Sequence, residues 1–235
     1  MYIAVSVDLN ANETVAVLAI MLRFKADFQP GATVLCLGAH CDDIEIGCAG
    51  TLLQLRELNP TLRFVWMVFS GDDIRAAETR LAAEKLLGVG AHCTVEVHGF
   101  RGSHFPYHGS ALKDAFESIK SRYSPDLVFT HFLKDRHQDH RVVAELTWNT
   151  FRNHTILEYE IAKYEGDLDL PNLYCEVSDS NMARKVDTLM SCFPSQQTRT
   201  WFDRDLFQGL MRLRGVECNS ASRYAEAFHG RKLTL

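Results

Sequence analysis

Four times between residues 33 and 151 a short apolar run stops at a polar loop and gives way to a helical pattern. The runs are TVLCL (33–37), LRFVWMVFS (62–70), TVEV (94–97) and LVFTH (127–131). The second is almost continuously apolar, which suits a strand covered on both faces. Helical stretches are expected from about Ile46 or Gly47 to Leu58, over 74–87, over 110–123, and from Asp139 or His140 to about Phe151. In the second helix Ala77, Leu81, Ala82 and Leu86 form an apolar stripe, Asp72 or Asp73 is placed to cap the start, and Gly88 would end it in a left-handed conformation. Strands joined through helices need right-handed crossovers, so this rhythm predicts an α/β fold: a Rossmann-like, doubly wound, mostly parallel sheet in a three-layer αβα sandwich.

At 235 residues, and with no composition break that marks a linker, the chain is expected to form one domain. Its core would span about 32–155, and residues 156–235 would form a C-terminal extension over the sheet. That extension holds a strand (ILEYEI), helices near 181–192 and 204–214, and the tail SRYAEAFHG. Ahead of the core, the apolar patch of residues 15–22 reads as a loosely defined helix or strand that ends at Pro30-Gly31.

Composition narrows the functional classes. Net charge is −5, and no cluster of five or more Lys and Arg occurs, which argues against a nucleic-acid surface. The longest apolar runs fall far short of the roughly 20 residues that a membrane helix needs, so no membrane insertion is expected. MYIAVSVDLNANE has neither a basic n-region nor a clear cleavage site, which makes a cytoplasmic location the default. Seven cysteines without a C-x-x-C pair read as reduced thiols.

Chemistry concentrates at two strand ends. The first strand empties into a loop carrying His40, Asp42 and Asp43, and the fourth into LKDRHQDHRVV, with His137, Asp139 and His140 within four residues. In an open α/β sheet ligands bind at the carboxyl ends of strands, so both loops can reach one edge. His40, Asp43 and His140 would make a two-histidine, one-carboxylate set that leaves a coordination position open for water, as in catalytic zinc sites; ferrous iron accepts the same set. Such a centre requires His40 and His140 to approach within about 6 Å, since zinc bonds each ligand at roughly 2 Å. The bland alternative is that the aspartates only cap the following helix and the second loop is a helix start with incidental histidines. Gly47 and Gly50 lack the G-x-G-x-x-G pattern of a dinucleotide-binding oxidoreductase and fit close packing of helix on sheet. Cys41 lies beside two carboxylates that disfavour its thiolate, so it is a poor nucleophile. His131, at a strand end, would support the site from behind.

The A-H-x-D-D and H-x-D-H motifs resemble those of the LmbE/PIG-L family of zinc-dependent N-acetylglucosaminyl deacetylases. The resemblance extends over most of residues 33–228, including the RGVE and YAEAF segments. It departs from the family pattern at Cys41 and Gln138, where proline is frequent, and at Ile44, where some members have glutamate; Glu45, one position on, receives no role. Carried over residue by residue, it makes His40, Asp43 and His140 the metal ligands, Asp42 the general base, and His137 the electrophilic or acid histidine. Asp139 would orient His137 and hold it protonated.

The resemblance implies a zinc-dependent N-deacetylase, with Fe2+ as the other candidate cofactor, acting on a small N-acetylated sugar or sugar-containing metabolite. It also suggests a homo-oligomer. Arg75, just past the second strand, is the cation best placed to meet a sugar hydroxyl or phosphate, while Lys163, Trp201, Arg214 and the loop of residues 101–107 are further candidates for a pocket. Two other readings stay open: a metal-dependent amidohydrolase of a non-sugar amide conjugate, and a non-catalytic ligand-binding module on the same scaffold.

Overall fold

The structure, a computed structural model, describes residues 26–88, 90 and 92–233. The apolar patch of residues 15–22 lies outside them. The described residues form a seven-stranded sheet in the order β3-β2-β1-β4-β5-β7-β6. Its elements are β1 (Thr33–His40), α1 (Asp43–Leu58), β2 (Arg63–Ser70), α2 (Asp73–Leu87), β3 (Cys93–Val97), α3 (Gly109–Arg122), β4 (Leu127–His131), α4 (Gln138–Thr150), β5 (Thr155–Tyr159), β6 (Leu173–Val177), α5 (Asp179–Cys192), α6 (Arg204–Glu217) and β7 (Tyr224–Gly230).

The first five strands run parallel, with β1 in the middle between β2 and β4. Side chains alternate along them. Val34, Cys36, Phe64, Trp66 and Phe129 pack against α1, α2, α5 and α6, while Leu35, Leu37, Val65, Met67 and Val128 pack against α3 and α4. This gives the expected three layers, and the chain leaves in opposite directions from β1 and β4. The carboxyl ends of those two strands therefore flank a switch point, where a doubly wound sheet leaves a crevice.

Three expectations are corrected. First, the extension does more than lie over the sheet: its last segment, read as a tail, is β7, inserted antiparallel between β5 and the edge strand β6. Second, α2 is rotated from the expected stripe. Ala76, Thr79, Ala82, Ala83 and Leu86 are buried while Ala77 and Leu81 face outward. Glu78 is also buried, because Ser195 donates to it through its backbone N–H (2.9 Å) and its hydroxyl (2.6 Å). Third, Gly88 has positive φ (83°) but extended ψ (165°), so it ends α2 without the left-handed turn. Asp72 does cap that helix, accepting from the Arg75 N–H at 2.8 Å.

The glycines of α1 serve close packing. A Cβ on Gly47 would stand 2.3 Å from the Tyr159 ring, and one on Gly50 would stand 2.9 Å from Val177. Tyr159 is fully buried and donates its hydroxyl to the Leu37 carbonyl at 2.7 Å, so the helix bearing the first motif rests directly on the sheet.

Candidate metal centre

β1 runs three residues past its expected end, through Gly38, Ala39 and His40, because that stretch still pairs with Val68 and Ser70 of β2. The strand thereby carries His40 to the crevice. The turn into α1 is made by Asp42 at φ 113°, a conformation that costs a non-glycine residue about 1–3 kcal/mol and persists where surrounding structure enforces it. Asp42 stands at the N-cap of α1, yet its side chain makes no capping hydrogen bond. It points instead to Arg75, whose Nη2 lies 3.1 Å from Oδ1 and also donates to the Cys41 carbonyl. Asp43 is held differently: its Oδ2 accepts the His40 backbone N–H at 2.7 Å. Helix capping therefore does not account for the Asp42 side chain.

The two distant motifs meet. His40 Nδ1 and His140 Nε2 lie 3.2 Å apart, although 100 residues separate them in sequence. Asp43 reaches both rings, with Oδ2 3.4 Å from His40 Nδ1 and Oδ1 3.5 Å from His140 Nε2. Two ligands each about 2.0–2.1 Å from a tetrahedral zinc ion stand about 3.3 Å from one another, so these spacings fit a shared cation. Ring nitrogens of His40, His137 and His140 also cluster within 4.8 Å, as do donor atoms of Asp43, His131 and His140.

The nitrogens facing away from this point are each tied to a carboxylate. Asp139 Oδ2 accepts from His40 Nε2 at 3.0 Å, and Asp135 Oδ2 accepts from His140 Nδ1 at 2.9 Å. A carboxylate on one imidazole nitrogen fixes the proton there and turns the other lone pair toward the metal, as is usual for metal-binding histidines. The donor set therefore fits a divalent cation in its geometry and in its tautomers.

Two expectations about this loop are corrected. Asp139 does not orient His137: its carboxylate takes the His40 ring and the backbone N–H groups of Ser103 (2.5 Å) and Phe105 (3.1 Å). Nor does the Asp139 carboxylate hold a proton on His137, for it is the Asp139 backbone N–H that meets that ring. Its Nδ1 caps α4 by accepting the Asp139 N–H at 3.3 Å, and burial together with the neighbouring His40 lowers its pKa. The loop is thus also a helix start, as in the bland reading, with His137 itself as the cap.

Arg75, expected to face substrate, is engaged by Asp42, with its Nε 3.8 Å from Glu78. Lys163 and Trp201 do share a wall, lining with Tyr164, Thr200 and Asp203 a cleft of about 500 Å³. Arg214 is buried elsewhere, paired with Glu160 at 2.6 Å and Glu217 at 2.8 Å.

Electrostatics separates the two aspartates. Burial pushes the Asp42 carboxyl up to about 7, against the pull of Arg75. Asp43 is held well below the usual range: burial opposes this, and His140, His131 and His40 prevail. Burial likewise pulls His40 down, but Asp43 and Asp139 lift it to about 10, whereas burial and His131 take His140 down to about 3. Cys41 is pushed up to about 12 by burial, which leaves it a protonated thiol.

Three contributors were underweighted or missed. His131 Nε2 lies 3.1 Å from Asp43 Oδ2 and accepts the Ala39 N–H at 2.9 Å, closer to the centre than a supporting role implied. Asp135 lies in the same loop, two residues ahead of the second motif, so its position offered a signal. Lys163, 2.9 Å from Asp135, comes from the extension and was expected only as a pocket residue, not as a partner of the histidine loop.

The family model described as GlcNAc-PI de-N-acetylase (PIG-L) matches residues 35–151, which contain both motifs. An uncharacterized deacetylase of Escherichia coli K12, YaiS, is 34% identical over 139 residues, covering 54% of this chain and 72% of its own. Among solved structures, the N,N'-diacetylchitobiose deacetylase of Pyrococcus horikoshii superposes with a TM-score of 0.62 at 20% identity, covering 85% of this chain and 83% of that one. GalB of Pseudomonas putida KT2440, a 4-carboxy-2-hydroxymuconate hydratase, gives 0.65 at 17% identity, covering 87% and 98%. The last two share the fold, and a fold by itself does not fix a reaction. With both motifs inside the matched segment and a relative covered over most of its length, the chain belongs to the PIG-L (LmbE-like) deacetylase family.

Proposed function

We propose that the protein is a metal-dependent N-deacetylase that converts R-NH-CO-CH3 and water to an amine and acetate, with R an N-acetylated sugar or sugar-containing metabolite. The observation that carries this reading is the 3.2 Å approach of His40 Nδ1 to His140 Nε2 with Asp43 against both. A divalent cation held by His40, Asp43 and His140, zinc in the first instance and ferrous iron in the second, would supply a Lewis acid that activates water and polarises the amide carbonyl.

The chain's own groups supply the proton transfers. Asp42 cannot readily turn to the same point as its neighbour Asp43, because successive side chains diverge; its carboxylate is free to take the proton of the attacking water. Arg75, 3.1 Å away, holds that carboxylate in place. His137 accepts a backbone N–H at Nδ1, so its proton sits on Nε2, from which it donates a hydrogen bond to the oxyanion of the tetrahedral adduct. The proton gained by Asp42 then goes to the departing nitrogen. The cleft bordered by Tyr164 and Trp201 offers aromatic faces on which a sugar ring can stack.

Acetate release from a panel of N-acetylhexosamine derivatives and non-sugar acetamides, with and without chelator, tests the reading. Chelator-sensitive acetate release from the sugars supports it. Release from the non-sugar amides alone would favour the amide-conjugate alternative, and no release from any member would contradict deacetylation.

A further inference from the structure

Behind the histidine loop lies a buried ion ladder whose middle rung is outside residues 35–151, the segment that the family model matches. Lys163 Nζ is 2.9 Å from Asp135 Oδ2 and 2.6 Å from Asp167 Oδ1, and the three side chains are 9%, 2% and 6% exposed. Its remaining contact is the Ile161 carbonyl at 3.3 Å. Three of the four carboxylate oxygens on the ladder hold the histidine loop. Asp135 Oδ2 accepts the His140 Nδ1 proton (2.9 Å), Asp135 Oδ1 accepts the His137 N–H (2.7 Å), and Asp167 Oδ2 accepts the Arg136 N–H (2.6 Å).

One ammonium thus fixes two carboxylates, and these fix the backbone at Arg136 and His137 and the ring of His140. Without it, two buried carboxylates would be left facing each other with no cation between them, an arrangement strongly disfavoured at low local dielectric. The His140 ring hangs on one of those carboxylates.

We propose that Lys163, supplied by the C-terminal extension, is a positioning residue for metal binding: through Asp135 it holds His140 with Nε2 aimed at the shared cation. This rests on His140 being a metal ligand. The metal half-site is then completed only when the chain beyond β5 has folded against the loop between β4 and α4.

The test is the affinity of the metal-free full-length protein for Zn2+ alone, read by competition with a chromophoric chelator. Lys163→Met should weaken binding about 10- to 100-fold, the range typical for losing an outer-shell partner. Lys163→Arg, which keeps the charge, should recover most of the loss. Arg214→Met, which breaks another buried pair of the same extension, should change affinity less than about threefold. If Lys163→Met does not fold, Lys163→Met/Asp167→Asn, which lowers the uncompensated charge, is read by the same criterion. Wild-type affinity in a folded Lys163 variant, or an equal loss in Arg214→Met, would overturn the proposal. A His140→Ala control separates the two levels: if it too binds Zn2+ normally, the ligand reading itself fails and takes this proposal with it.

Discussion

Asp139 Oδ2 lies 3.0 Å from His40 Nε2, joining the second motif to the first across 99 residues. The same carboxylate also accepts two backbone N–H groups from the loop at Ser103 and Phe105, so it ties three separate segments together. Asp139→Asn can still hydrogen-bond but no longer supplies the charge. Zn2+ affinity should fall about 10- to 100-fold, in keeping with other outer-shell carboxylates. Chelator competition checks this, and unchanged affinity would mean that the His40 contact is incidental.

Asp42→Asn separates binding from turnover. Asp42 stands outside the ligand set proposed here, so metal content should stay at the wild-type level while kcat drops about 10²- to 10⁴-fold, the usual cost of removing a general base. Metal analysis alongside the acetate assay decides; normal turnover would remove Asp42 from its role.

Arg75 distinguishes two roles by kinetics. Because its Nη2 is engaged by both Asp42 and the Cys41 carbonyl, Arg75→Met should act mainly on kcat and leave KM within a few-fold. A rise in KM with kcat preserved would instead mark the substrate cation expected from sequence.

Gly47→Ala weighs helix propensity against space. Alanine favours a helix interior by about 1 kcal/mol, but the new Cβ would stand 2.3 Å from a buried ring tethered through its hydroxyl. Overpacking costs about 1–3 kcal/mol, so the net effect should be destabilising. A chain of this size should lose roughly 2–4 °C in Tm per kcal/mol; an unchanged or higher Tm would show that Tyr159 gives way.

His98 predicts a pH dependence of stability away from the centre. It stacks on Phe69 with centroids 5.6 Å apart, and burial lowers its pKa below the ordinary 6.5 in spite of nearby Glu96. The unfolded chain then binds a proton that the folded one resists. The contribution is fully present above pH 6.5 and is lost as pH falls from 6.5 through the folded-state value. Urea midpoints at pH 7.5 and 5.5 should therefore drop more for the wild type than for His98→Phe, and parallel drops would contradict the assignment.

The parallel half of the sheet was legible because β1, β2 and β4 are buried on both faces and read as unbroken apolar runs. β6 was not: LYCEV is a half-exposed edge strand, and its partner β7 lies more than forty residues further on, so nothing local announced either. The α2 stripe is legible only in part, with Ala82 and Leu86 buried as expected but Ala77 and Leu81 not, because Ala76, Thr79 and Ala83 on the buried face give little hydrophobic contrast. His40, Asp43 and His140 do meet at the crevice to which the two motifs pointed. They could not tell which acid serves which histidine, since that depends on how the loop near Ser103 folds back over α4.

The central claim is that residues 40, 43 and 140 share one cation. Titrating metal-free protein with Zn2+ tests it most directly. One tightly bound ion per chain is expected, lost together with acetate release in both His40→Ala and His140→Ala. Tight stoichiometric binding that survives either substitution would contradict it.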